Sequence, residues 1–538
     1  MPNSESYEYS ILKYIESATK GSFILFLGEF TYNLTLALGS IVIARVLASE
    51  GYGAFSLALV PPLIVASLLS LGIDTAASRY SQMFLMRNSE KGVRAVIKAS
   101  LLVKTVTGLM GSALCLIFAE PLARFFINRP DLAPYVRVAA VIVLLQNIYN
   151  LLLSIFIGLE RVTGTTFAKI TYSVVKTVAS IYMLLLLQLS VLGALLGNII
   201  GYTFALVAAF LFLMQALRGS GKNDNNSVVG IATIAKDMLR YSLPLYVASL
   251  IPIIVSGAYQ NALLAYNLPD REIGGYRAMA NLGVLVSVVT APISATLLPL
   301  FTKFHSNSNE LDKVARITNK YIAFVTTPVT VAAMIFSREI MYLFYGADYL
   351  FTYPLLPLLL APNLLASLGS LTIPTILNAI GDTKANMYST IISTAVFVPA
   401  SYVLTISAKL WGFLIASLLS SIVGLIFLSI YIKKYIAKPV DYIHACKTYF
   451  ASALSAILTL LVFLIPVPRF VSVVRIVLGF IIFLTTYIPI ALVLGVVSED
   501  DVNFIVKAFE RFPIVNVVIA LLGGYAKAIV KLISRGAK

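Results

Sequence analysis

IARVLASEGYGAFSLAL, residues 43–59, breaks a long apolar stretch with Arg45, Glu50 and three turn-prone residues, Gly51, Tyr52 and Gly53. A degenerate copy, LAYNLPDREIGGYRAMA, begins at Leu264. At a shift of 221 residues Ala44 meets Ala265, Leu47 meets Leu268, Gly53 meets Gly274 and Phe55 meets Tyr276. A second pair obeys the same shift: SIFIGLERVTGTTFAKI from Ser154 and TILNAIGDTKANMYSTI from Thr375, where Ile155 meets Ile376, Phe167 meets Tyr388 and Ile170 meets Ile391. Apolar sequence matches itself easily by chance, so one segment alone is weak. A common offset for two separated segments indicates a parallel internal repeat, with a gap of about three residues between them.

What flanks the hinge sets the class. The chain is 59% hydrophobic and 12% charged over 538 residues, whereas soluble domains carry about 25% charge. Apolar runs of roughly 18 residues or more recur throughout, each long enough to cross a bilayer as a helix. The expected fold is an all-α polytopic membrane protein with about fourteen transmembrane helices. These form two six-helix lobes related by the repeat, plus two C-terminal helices. Spans one and two are placed at 21–44 and 54–72, the third at 93–118, the fifth at 167–188 and the sixth at 191–217. Spans at 387–406 and 410–432 pair as a tight hairpin.

The expected organisation is an N-lobe at 1–217, a linker at 218–240, a C-lobe at 241–432, two further spans within 433–497 and an amphipathic tail at 498–538. The linker contains RGSGKNDNNSVVG (218–230), the most polar Gly/Asn/Ser-rich stretch of the chain, as suits an inter-lobe connector. In transporters with parallel repeats the halves pack about an axis along the membrane normal, with substrate near mid-depth. The 43–59 hinge is then the outer turn of the first hairpin of one lobe, and its copy the matching turn of the other.

The net charge of +16 does not point to nucleic acid, because no soluble basic module is present. Excess Lys and Arg instead mark cytoplasmic loops. With both termini in the cytoplasm, most basic residues fall inside, while Glu50, Glu120, Asp131, Asp270, Glu272, Glu339 and Asp348 fall outside. Cys115 and Cys446 suggest neither a disulfide framework nor a zinc site, and no metal site is expected. The N-terminus lacks the pattern of a cleaved signal. Ser498, followed by acids, reads as a helix N-terminus rather than a metal site at Asp500–Asp501. Val502, Ile505, Val506 and Phe509 line one face of that helix, and the run near 513–533, broken by Gly523–Gly524 and Lys527, reads as interfacial.

On these residues the chain resembles a known family. IARVLASEGYGAFSLAL followed by LGIDTAASRY is similar to the first hairpin of polysaccharide-biosynthesis (O-antigen-type) flippases, part of the multidrug/oligosaccharidyl-lipid/polysaccharide exporter superfamily. GLERVTGTTFAKI, LRYSLPLYVASL, IGGYRAMANLG…LLPLFTK and EIMYLFYGADY follow in the family's order. The resemblance implies alternating access by two lobes in a V shape and a polyprenyl-linked oligosaccharide as substrate. It differs from the peptidoglycan-precursor branch, whose charged pairs in spans one and eight are replaced here by LALGS and AMANLG.

Ionisable residues inside spans are costly and are functional candidates by default. Glu29, Lys104 and Lys176 lie about 8–11 residues into their spans from the same side, roughly 12–17 Å deep. Lys98 is shallower and can snorkel. The repeat positions of Glu29, Lys104 and Lys176 are Leu250, Val325 and Phe397, so the buried charge belongs to the first lobe alone. The functional reading is a cationic patch in the inter-lobe cavity, with Lys104, Lys176 and Lys98 meeting the substrate's phosphate or pyrophosphate. Glu29 would pair with a lysine or take up the coupling ion. The plain alternative is an ion pair that only holds helices together. Asn33, Asn261 and Asn281, with Gln260, Asn363 and Asn378, are polar candidates for the cavity or for helix-to-helix bonds. Pro244, Pro252, Pro292, Pro299, Pro374 and Pro399 can bend helices. His305 and His444 are expected in solvated loops.

No HExxH, GxxxxGK[ST] or nucleophile–base pair occurs, so a secondary transporter rather than an enzyme is expected. It would need no cofactor and would draw on a proton or sodium gradient. The expected function is a flippase for a lipid-linked oligosaccharide in the cell membrane, with membrane lipids and the glycosyltransferases or polymerase of the pathway as partners. The rivals are a multidrug/cation antiporter of the same superfamily, which needs an acidic or aromatic cavity, and a membrane-embedded glycan polymerase, which needs a large outer loop.

Overall fold

The computed structural model describes residues 4–218, 230–304, 308–463 and 472–498, with isolated positions beyond. The linker 219–229, His305 and the tail from 502 to 523, including Val502, Ile505, Val506 and Phe509, lie outside the described residues, as does Lys527. So do the side chains of Pro252, Pro292 and Pro299. All regular elements among the described residues are helical. The chain divides into two compact units, Met1–Val284 and Leu285–Lys538.

The first unit begins with α1 (Ser4–Ala58), α2 (Val60–Leu68), α3 (Ile73–Met86), α4 (Glu90–Ile117) and α5 (Ala119–Ile127). It continues with α6 (Ala133–Gly158), α7 (Val162–Leu185), α8 (Ser190–Arg218), α9 (Ile231–Pro252), a π turn, α10 (Gln260–Asn267) and the first part of α11 (Asp270–Phe304). The division falls inside α11, past the linker expected between lobes. The reason is bonding: the Ser242 hydroxyl donates to the Leu71 carbonyl at 2.8 Å, and the Tyr246 hydroxyl donates to that of Leu68. The Arg79 guanidinium also stacks 4.1 Å from the Tyr241 ring.

The opening hinge turns at Ala48, where φ is 56° inside α1. Gly51, Tyr52 and Gly53, expected as the turn, are helical. Gly53 is small because another backbone lies against it: a Cβ there would fall 2.0 Å from the Asp270 carbonyl oxygen. A Cβ on Gly274 would fall 1.9 Å from that of Ser49. Ser49 and Asp270 are themselves related by the shift of 221, as are Gly53 and Gly274. The two hinges therefore cross in a reciprocal contact, residue i against j and j against i, as in an isologous interface. Around the crossing, the Asn281 amide donates to the buried Tyr52 hydroxyl at 2.8 Å. Arg129 binds the Asp270 carboxylate and forks onto Asp131 at 2.9 and 2.8 Å. That fork holds the Asp131 carboxyl below its ordinary range.

The repeat marks other helix limits too. α7 starts at Val162 and α16 (Thr383–Tyr431) at Thr383, again 221 residues apart. Just before each start, Glu160 and Gly381 take positive φ, 55° and 90°. Small residues draw α7 tightly between its neighbours, as helices pack without a hydrophobic drive in lipid. Gly197 and Gly201 of α8 lie against the backbone of Ser180 and Lys176, and Gly28 and Gly39 of α1 against the side chains of Thr166 and Thr177.

The second unit holds α12 (Ser308–Ile335), α13 (Ser337–Tyr345), α14 (Leu356–Leu360), a 3₁₀ turn at Ala361–Leu368, α15 (Thr372–Ile380), α16, α17 (Tyr442–Phe463) and α18 (Ser472–Val493). The hairpin expected within 387–432 is α16, broken at Ala408 and Lys409. Phe301, Leu311, Ile322, Ile373, Leu377 and Ile432 are among its buried core. At Ser498 the expected cap is present: the Asp501 amide donates to the Ser498 hydroxyl oxygen at 3.2 Å, and the Ser498 amide to the Asp501 carboxylate at 2.8 Å. Lys320 and Tyr321 of α12 also donate to Asp501. His444 is half-buried, not solvated, and burial lowers its pKa.

Six helical segments among the described residues are apolar and long enough to cross a bilayer, or eight counting two bent pairs. Two of the six, Gly28–Leu68 and Thr383–Lys434, run 41 and 52 residues and are broken at Ala48 and Lys409. At 1.5 Å per residue each exceeds twice the roughly 30 Å of the hydrocarbon layer. Length and apolarity do not return the expected count of about fourteen. α7, with Lys169 and Lys176, and α9, with Lys236, Asp237 and Arg240, are less apolar than those six.

Candidate functional site

The charge cluster of the first unit centres on α7. Lys169, Tyr172 and Lys176 recur at i, i+3 and i+7, one face of a helix. Tyr32 of α1, Tyr149 of α6 and Tyr202 of α8 join Tyr172 there. Ring centroids lie 4.3 Å apart for Tyr172–Tyr202, 5.4 Å for Tyr149–Tyr202, 5.6 Å for Tyr149–Tyr172 and 6.4 Å for Tyr32–Tyr172. The Tyr172 hydroxyl donates to Asn198 Oδ1 at 2.7 Å. The buried Tyr149 hydroxyl has no partner among the described residues.

Two ammonium groups border these rings. Lys176 Nζ stands 5.5 Å from the Tyr172 ring centroid, and no carboxylate pairs with it among the described residues. Lys169 Nζ stands 5.5 Å from the Tyr32 ring and is paired with Glu29. Tyr32 follows Glu29 by three residues and so shares its helix face. The local sum of Lys169, Lys176 and Glu29 is one positive charge, held by ring faces in place of a second carboxylate.

Lys104 has other partners. Its side chain is 1% exposed; Nζ donates to Asp74 Oδ2 at 2.8 Å and to Asn147 Oδ1 at 3.3 Å, joining α4, α3 and α6. Lys98 is exposed, six residues earlier on another face of α4, and the structure does not bring it to Lys104. Asn33 is exposed and bonds its own helix, donating to the Glu29 carbonyl at 2.8 Å. Asn261 accepts from Arg277, and Asn281 serves Tyr52 at the hinge crossing. Asn363 and Asn378 lie in the second unit and bond locally, to Leu360 and Asn386. Among the described residues no group of three His, Cys, Asp or Glu side chains could hold a metal.

Sequence reasoning passed over Lys169, Asp74 and the four tyrosines. Lys169 looked terminal because the fifth span was begun at 167, whereas α7 starts at Val162. Its spacing to Tyr172 and Lys176 was a readable signal. A second span ending at 72 excludes Asp74, whereas α3 restarts at Ile73 with Asp74 in its first turn.

The family model described as polysaccharide biosynthesis protein matches residues 18–305. The chain belongs to the polysaccharide biosynthesis protein family. No curated protein sequence matches this family member. Its fold is that of known flippases and transporters. The lipid II flippase MurJ, in an inward closed conformation, aligns with a TM-score of 0.64 at 15% identity, over 86% of this chain and 98% of that one. An inward-facing multidrug resistance MATE family transporter of the MOP superfamily aligns with a TM-score of 0.61 at 18% identity, over 74% and 95%. A MOP superfamily transporter from Pyrococcus furiosus, described by the reverse polarity of its binding pocket, aligns with a TM-score of 0.52 at 16% identity, over 77% and 95%.

Proposed function

We propose that the protein moves a lipid-linked oligosaccharide, carried on polyprenyl phosphate or pyrophosphate, between the leaflets of the cytoplasmic membrane by alternating access. The observation that carries this reading is Lys176: a cation on α7, 5.5 Å from the Tyr172 ring centroid and without a carboxylate partner among the described residues. In a low-dielectric setting such a charge attracts an anion far more strongly than in water. Lys169 adds a second cation when Glu29 releases it, and the Tyr149 hydroxyl offers a buried donor for a phosphate or sugar oxygen. Lys104, enclosed by Asp74 and Asn147, acts here as a tie between helices, and Lys98 as a surface residue. A cation antiporter is the second reading: the tyrosine rings suit a cationic drug, while the net positive charge of Lys169, Lys176 and Glu29 opposes it.

The test is leaflet exposure of a fluorescent polyprenyl-pyrophosphate sugar in proteoliposomes. Wild type is expected to move it, Lys176→Ala to slow movement at least about tenfold, the loss of one charge-assisted contact, and Lys176→Arg to restore part of it. Equal rates in wild type and Lys176→Ala would refute the role of Lys176. An immobile substrate with wild-type protein would refute the flippase reading.

A further inference from the structure

The second unit carries a groove of about 230 Å³ that the transport reading does not use. Leu365 and Leu368 of the 3₁₀ turn and Leu425, Ile426 and Ile430 of α16 form its walls, and Lys433 and Tyr442 stand at the end where α16 finishes and α17 begins. We propose that this groove seats one acyl chain of an anionic phospholipid, with the lipid phosphate on Lys433.

Three observations carry it. The first is size and lining. The groove has room for part of a single acyl chain between aliphatic walls. Ile426 and Ile430 on its rim are 52% and 65% exposed, which suits contact with lipid rather than water. The second is position. The apolar segment Thr383–Lys434 ends where the groove ends, and Tyr442 stands beside that end as interfacial aromatics do.

The third is charge. Lys433 is exposed and pairs with no carboxylate among the described residues. The nearby Asp382 carboxylate is taken by the Tyr431 and Tyr435 hydroxyls at 2.8 and 2.7 Å, which hold it below the ordinary carboxylate range. Lys434 and Lys438 follow in the same stretch. An unneutralised lysine at the head of an aliphatic slot fits a molecule with an acyl chain and an anionic headgroup.

The experiment is native mass spectrometry of the full chain in detergent, titrated with phosphatidylglycerol or with phosphatidylcholine of the same chains. Wild type is expected to bind one phosphatidylglycerol in preference by about fivefold, the effect of one basic residue near an anionic headgroup. Lys433→Glu is expected to erase the preference, and Ser429→Phe, which fills the groove, to lose the bound lipid of either kind. Equal binding of the two lipids, or unchanged binding in both variants, would overturn the proposal. Displacement of the bound lipid by a polyprenyl phosphate at lower concentration would assign the groove to another ligand and overturn it as well.

Discussion

Alanine at either crossing glycine must drive the two hinges apart. A Cβ on Gly53 or Gly274 would sit 2.0 or 1.9 Å from a carbonyl oxygen, whereas ordinary contacts begin at 3.4 Å. The obstacle is backbone on both sides, so no rotamer change relieves it. Separation by more than an ångström is required, an overpacking cost of about 1–3 kcal/mol. Held against the closed crossing, that is roughly a 5- to 150-fold shift toward separated hinges. Ser49 is 2% exposed, so a Ser49→Cys reporter reads the shift as faster modification by a soluble maleimide. Gly53→Ala and Gly274→Ala are each expected to accelerate labelling by about that factor. The double variant should fall short of their product, because one separation accommodates both methyls. Gly51→Ala is the control: its nearest neighbour outside the backbone is Leu47 Cβ of the same helix, at 3.3 Å. Labelling no faster in Gly53→Ala than in Gly51→Ala would refute the reasoning.

Three further outcomes follow from other contacts. Lys104→Met, which leaves Asp74 without its partner, should cost about 3–5 kcal/mol and lower the Tm in detergent, and adding Asp74→Asn should recover much of the loss. Gly201→Val, aimed at the Lys176 backbone, should loosen α7 from α8 and cost about 1–3 kcal/mol, read as a lower Tm. Burial would raise the Asp501 pKa, but Lys320, Ser498 and Tyr321 together pull it below the ordinary carboxylate value. A depressed folded-state pKa gives stability that is present above the unfolded value and lost as pH falls through the folded one. The Tm gap between wild type and Asp501→Asn should therefore hold from neutral pH into the ordinary carboxylate range and close only below it.

The membrane class and the repeat were legible because both rest on patterns the backbone cannot hide: apolar runs of bilayer length and one offset kept by two segments. The Ala48 turn was not, since its neighbours Gly51 and Gly53 carried the stronger turn signal and serve as a contact surface instead. Glu29 was expected as a charge buried in a span, yet its side chain is 42% exposed; its partner Lys169 is 140 residues away, and only the packing of α1 on α7 brings them together. The same holds for the tyrosines, which come from four helices and look in sequence like ordinary interfacial residues. Lys104 was placed correctly as buried; its enclosure by Asp74 depended on a helix restart at Ile73 that hydropathy does not register.

The hinge crossing also bears on how the two copies of this sequence were free to change. A residue that meets its own repeat position's neighbour is constrained twice by one requirement: any bulk added at 53 or at 274 strikes the same pair of chains. Elsewhere the copies differ: the repeat position of Lys176 is Phe397, whose ring centroid stands 5.8 Å from that of Phe413. The two copies thus share positions tied by one contact, Gly53 and Gly274, and differ at others, Lys176 and Phe397, where the candidate site's chemistry lies in one copy.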